Sequence, residues 1–88
     1  MYKIVYLTNN LTTKILITND FLTAYRAAKP TSTDGWHLMM FNYAQTLMQN
    51  LKADEHLKVA WEDVPDKKGD IRTVLIVKIN DWKIFSII

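Results

Sequence analysis

Eighty-eight residues without a cysteine, 49% apolar and 23% charged, make one folded domain with neither a disulfide framework nor a thiolate metal site. The formal charge of +2 is too small to mark a nucleic-acid binder by itself, and no apolar run approaches the ~20 residues a membrane helix needs. Absence of cysteine fits a reducing compartment, and Met1 leads directly into alternating Tyr2, Ile4 and Tyr6 rather than an export leader, so the expectation is a cytoplasmic protein without membrane contact.

Residues 2–8 and 11–18 alternate and are rich in β-branched and aromatic types, which predicts two strands. Asn9-Asn10 between them tolerates the positive φ of a two-residue hairpin loop. A regular hairpin pairs Tyr6 with Thr13, Ile4 with Ile15 and Tyr2 with Ile17, which places all six on one face, the core side. Lys3, Val5, Leu7, Thr12, Lys14 and Leu16 then share the other, mixed face.

A short helix follows. Thr18 or Asn19 can cap it, Asp20 suits its first turn, and Pro30 ends it. Phe21, Ala24, Tyr25 and Ala28 fall on one stripe at i, i+3, i+4 and i+7. After a loop over 30–35, a second helix is expected over about 35–53, with Trp36, Met40, Tyr43, Leu47 and Leu51 as its principal buried stripe, widened by Met39, Ala44 and Met48. Its other side is an uncharged row of Asn42, Gln45, Thr46, Gln49 and Asn50, either a contact surface or a polar flank.

Three further strands are expected at 57–64, 71–79 and 82–88, with a solvated loop from Val64 to Asp70 and a tight turn at Asn80-Asp81. That turn pairs Ile79 with Trp82, Val77 with Ile84 and Thr73 with Ile88 on one side, and Ile76 with Phe85 and Val74 with Ile87 on the other. Lys78 opposite Lys83 weakens this register, but both faces of the hairpin are apolar in any register. Strands buried on one side alternate, and strands covered on both do not. Two modest helices on one face leave Val74, Ile76, Phe85 and Ile87 for a partner, joined by Val5, Leu7 and Leu16. The alternative divides the helices between the faces, or covers the second face with long loops. Ile88 could also place an apolar strand at a sheet edge open to strand addition.

Charge is distributed in blocks: +3 over residues 1–33, −4 over 34–66 and +3 over 67–88, a pattern that makes an oriented field only if the fold gathers each sign. Lys67, Lys68, Arg72, Lys78 and Lys83, with Trp82 and Phe85 nearby, are the candidates for a nucleic-acid groove. His37, in the first turn of a helix, suits a neutral hydrogen-bonding role. His56 beside Asp54 and Glu55 could hold a divalent ion weakly, although no ligand spacing of a known kind is present. Ser32, Asp34 and His37 are the one nucleophile trio that proximity allows, and the same residues serve equally as a capping segment. With only Gly35 and Gly69, no phosphate loop can form.

In element order alone, the hairpin and helix of residues 2–29 resemble ubiquitin-like β-grasp domains, and the later long helix and three-strand meander depart from that plan. The expected fold is a two-layer α+β domain over residues 1–88 with a five-stranded, mainly antiparallel sheet, its long helix crossing the face that holds Tyr2, Ile4, Ile15, Val77, Trp82 and Ile84. The expected function is a non-enzymatic interaction module, a homodimer or a docking partner acting through the apolar C-terminal hairpin, with no cofactor and no metal. The alternative is nucleic-acid binding through the basic C-terminal hairpin.

Overall fold

The computed structural model describes residues 1–79. It is an α+β fold with an open, five-stranded antiparallel sheet in the order β2-β1-β5-β4-β3. The elements are β1 (Tyr2–Thr8), β2 (Leu11–Thr18), α1 (Phe21–Ala28), β3 (Trp36–Leu38), α2 (Phe41–Asn50), β4 (His56–Glu62) and β5 (Arg72–Lys78).

The first hairpin turns at Asn9 and Asn10, with φ of 52° and 66°, and Thr8 faces Leu11 as a two-residue loop requires. The regular register lasts two pairs. A bulge then places Thr13 between pairs, its hydroxyl donating to the Tyr6 carbonyl at 3.2 Å, and Tyr6 faces Lys14, Val5 faces Ile15 and Lys3 faces Ile17. Because side chains alternate, one extra residue exchanges the faces. Ile15 and Ile17 therefore stand beside Val5 and Lys3, away from the side of Ile4 on which they were expected.

Asp20, expected in the first turn, is itself the cap of α1 in place of Thr18 or Asn19, accepting from the amides of Leu22 and Thr23, and the helix ends two residues before Pro30. Its stripe is the expected one: Phe21, Ala24 and Ala28 are buried, and the Tyr25 hydroxyl donates to the Met39 carbonyl at 2.6 Å. Phe21 packs in a ring cluster with Tyr2, Tyr25 and Phe41.

The second helix is shorter than its apolar pattern suggests. Gly35 turns the chain at φ 77°, and Trp36–Leu38 forms an edge strand whose residues face Glu62, Trp61 and Ala60 of β4. Trp36-His37-Leu38 alternates apolar, polar, apolar, a strand pattern inside what reads as a helical stripe. Only from Phe41 does the helix run, and Phe41, Ala44, Met48 and Leu51 pack toward the core. The buried stripe is thus rotated by one residue, about 100° on a helix, and Met40 and Tyr43 are exposed at 76% and 61%. Lys78 donates from Nζ to the carbonyls of Met48 and Leu51, closing the helix C-terminus.

Both helices lie on one side of the sheet. The core is built from Ile4 of β1, Val59 and Ala60 of β4, Val74 and Ile76 of β5, and the inward stripes of both helices. At Val59 a second bulge lets β4 bury two successive residues, Val59 and Ala60. β5 is paired along its whole length with β1 on one edge and over residues 73–77 with β4 on the other, so among the described residues the sheet's edges are β2 and β3. The strand expected at 82–88, its turn at Asn80-Asp81, and the pairs involving Trp82, Lys83, Ile84, Phe85, Ile87 and Ile88 lie outside the described residues.

Candidate functional site

The strand registers define the side of the sheet that no described helix covers. One row across it holds Ile17, Lys3, Val77 and His56, the next Ile15, Val5, Leu75 and Lys58, and the third Thr12, Leu7, Thr73 and Trp61, with His37 beyond. Six of these residues are aliphatic and sit on three neighbouring strands. Ile15 and Ile17 are 50% and 54% exposed, and Val5, Leu7, Leu75 and Val77 are partly so. An aliphatic surface spanning adjacent strands differs from the scattered single residues normal on a soluble domain.

Toward β3 this face changes character. The Lys58 ammonium sits 4.9 Å from the centre of the Trp61 ring, whose plane stacks on His37 at 5.6 Å and 13°. His37 Nε2 meets the Asp63 carboxylate. His37 is therefore a strand residue at a sheet edge, not part of a first helical turn, and its acid is Asp63 rather than Asp34. Among the described residues no group of three His, Cys, Asp or Glu could hold a metal ion, so the acidic and imidazole cluster at His56 does not form one.

Val74 and Ile76, named from sequence as partner-binding, are core residues, 4% and 0% exposed. They pair with Tyr6 and Ile4 across β1, on the helix-covered side, and Leu75 and Val77 take the open side instead. Sequence alternation identified the two sets but not which one the helices would choose. Ile15 and Val77 likewise leave the face assigned to the long helix, and it is α1 rather than α2 that lies over the centre of the sheet, packing on β1, β5, β2 and β4 while α2 packs on β4. Phe85 and Ile87 lie outside the described residues.

The basic candidates do not converge. Arg72 starts β5 and Lys78 ends it, a separation of ~20 Å along the strand. Lys78 is engaged with the end of α2, and Arg72 with Glu62, whose carboxylate accepts from Nε at 2.7 Å and from the Arg72 amide at 3.1 Å. That carboxylate raises the Arg72 pKa above its ordinary value. Lys67 and Lys68 are exposed in the β4–β5 loop, where the Asp66 carboxylate accepts from the Lys68 and Asp70 amides. These amides, Asp70 first, hold the Asp66 carboxyl below its usual value. Lys83 lies outside the described residues.

The sheet order does gather charge in another way. β1, β2 and α1 come from the block of +3 and lie beside β5, which begins in the second basic block, whereas β3, α2 and β4 come from the block of −4. The elements on one side of β5 carry Lys3, Lys14 and Arg26 and no acid, whereas those on the other carry Lys58 and Glu62 and balance, the remaining acids of their block lying in loops. Among the described residues no helix is long and apolar enough to cross a membrane.

Comparison with known proteins finds no family model that matches the chain, and no curated protein or solved structure of significant similarity.

Proposed function

We propose that this protein is a small non-enzymatic interaction module that works as a homodimer, two copies packing the open faces of their sheets against each other. The supporting observation is the aliphatic surface of Val5, Leu7, Ile15, Ile17, Leu75 and Val77, which lies opposite the helices and is continuous across β2, β1 and β5. Two sheets packed in this way form a sandwich ~10 Å thick between outer helix layers.

Charge favours a second copy as the occupant. β5 is the central strand, so a two-fold axis parallel to it lays β2 and β1 of one copy over β3 and β4 of the other. The basic half of each molecule then opposes the charge-balanced half of its partner, twice, with Leu75 and Val77 meeting their own counterparts and Val5, Leu7, Ile15 and Ile17 covering Trp61, His37 and the alkyl stem of Lys58. Lys58 and Lys3, the two lysines in the apolar rows, can extend their ammonium groups to the rim. The opposite choice, an axis across the strands, would stack basic on basic and is disfavoured.

Sedimentation of the purified chain tests this reading. The expected result is a dimer at ~100 μM that dissociates at least severalfold more readily when salt rises from ~0.05 to ~0.5 M, where screening shortens the reach of surface charge. Ile15→Lys combined with Ile17→Lys changes only exposed side chains and should give a folded monomer. A wild-type monomer at that concentration overturns the proposal, as does a dimer that survives the double substitution.

A further inference from the structure

The covered side of the sheet is not covered to its end. β1 has seven residues and runs ~23 Å, whereas α1 has eight and runs ~12 Å. The helix is anchored at its far end by the Tyr6 hydroxyl, which donates to the Ala27 carbonyl at 2.6 Å, and Pro30 then turns the chain away. Beyond that point the sheet forms the floor of a cleft of about 330 Å³, with Ala27 to Thr31 as one wall and Trp36 at the side. This volume falls at the small end of the ~300–1,000 Å³ typical of ligand sites.

The lining is chemically one-sided. Among the described residues it includes Arg72 and Lys29 and no carboxylate, and the Lys14 ammonium stands 5.4 Å from the centre of the Tyr6 ring that forms part of the floor. Arg72 is held from behind. Glu62 is buried and binds Nε and Nη2, at 2.7 and 3.4 Å, and the Trp36 ring lies 5.2 Å from the guanidinium carbon. Among the described residues Nη1 has no hydrogen-bond partner, and neither does the Lys29 ammonium. Asp66 and Asp70 act on Arg72 only through space, so a guanidinium hydrogen-bonded by the one carboxylate of Glu62, with a donor still free, is already oriented for a further anion. Thr8 and Thr31 add hydroxyls to the same lining, and Ala28, Pro30 and Val74 add apolar surface.

We propose that this cleft binds a small molecule joining one carboxylate or phosphate group to an apolar body, the anion meeting Arg72 Nη1 and Lys29 and the body lying against Tyr6, Pro30 and Val74. The site is on the helix side of the sheet, so it stands or falls apart from self-association through the open face. It goes beyond the interaction module by giving the same domain a ligand.

Amide and indole chemical-shift titration of the full chain tests it, with benzoate, phenyl phosphate, inorganic phosphate and phenol as probes. Benzoate or phenyl phosphate should saturate shifts at the Trp36 indole and the Thr8 and Thr31 amides, with a dissociation constant below ~1 mM. The tighter of the two identifies the head group. Phenol, which lacks the charge, and inorganic phosphate, which lacks the body, should each bind at least ~10-fold more weakly, the loss of about 1.4 kcal/mol or more. Arg72→Gln should weaken the anionic probe ~10-fold or more. Since that change strips the partner from buried Glu62, Lys29→Gln provides a second test on an exposed side chain and should cost ~3-fold, in the range of one partly exposed charge pair. Absence of saturable shifts up to ~10 mM, equal binding of phenol and benzoate, or unchanged affinity in Lys29→Gln would each overturn the proposal.

Discussion

Val74 and Ile76 point one way from β5, Leu75 and Val77 the other, and within these four residues lies the contrast between the two sides of the sheet. All four are β-branched or leucine, and all sit on the central strand. Ile76 is wholly buried beneath the helices, while Leu75 and Val77 remain partly open to water. Equal hydrophobicity with unequal cover shows that composition states how much surface wants burial, and topology decides which half the chain buries for itself. In the proposed dimer, the half left over is what the second copy covers.

The sharpest way to break this contrast is to truncate both neighbours. Ile76→Ala should destabilise the protein by about 2–5 kcal/mol, the loss of a fully packed side chain plus the cavity left behind. Leu75→Ala should cost about 1 kcal/mol or less in the monomer, because little packing is removed. Urea unfolding at low micromolar protein, below the association range, provides the comparison. Similar losses at the two positions would mean that the open side is packed within one molecule, and the dimer proposal would lose its surface. At higher concentration Leu75→Ala should instead weaken association.

How the two sides came to be filled was only partly legible in the sequence. α1 could be read closely, since Asp20, Pro30 and the stripe Phe21, Ala24, Tyr25 and Ala28 are local signals acting within one helix. The Asn9-Asn10 turn was equally local. The bulge at Thr13 was not, because it depends on a hydroxyl reaching the carbonyl of the opposing strand, and nothing in the alternation of residues 11–18 marks it. That single residue moved Ile15 and Ile17 from the expected core side to the open side. The cleft beside Arg72 was also hidden, since it follows from a helix being shorter than the strands beneath it and from Glu62 pairing across β4 and β5. The overextended second helix is a different kind of miss: Trp36-His37-Leu38 carried a period of two that the following apolar residues obscured.

Acid should blur the difference between the sides by loosening the cover. The Asp20 carboxyl is held below its ordinary pKa, chiefly by the Thr23 hydroxyl and then by the Thr23 and Leu22 amides and by Arg26. A folded-state value below the unfolded one means that the ionised cap contributes stability above the unfolded pKa of ~3.9, and that this contribution is lost as pH falls through the lower, folded value. The urea midpoint should therefore drop as pH falls below about 4. Asp20→Asn keeps an oxygen for the cap but cannot titrate, so its midpoint should be lower than wild type near neutrality and should fall less with acid. An identical pH profile in the two proteins would show that α1 is held over the sheet by packing alone.

The smallest expected effect tests whether the cover itself has an inside and an outside as drawn. Periodicity put Met40 and Tyr43 on the principal buried stripe of α2 and Ala44 and Met48 at its margin, yet the first two are exposed and the second two occupy the interior at 0% and 2%. Tyr43→Ala should therefore change stability by no more than about 0.5 kcal/mol, as at other exposed helix positions. Met48→Ala, one turn further along, should cost several times more. The small number is the informative one, because a stripe turned by one residue also turns the uncharged row of Asn42, Gln45 and Gln49 relative to the sheet. If Tyr43→Ala proved as costly as Met48→Ala, α2 would have to be rolled back about 100°. Ala44 and Met48 would then leave the core, and the helices would no longer account for the burial of Val59 and Ala60 on β4.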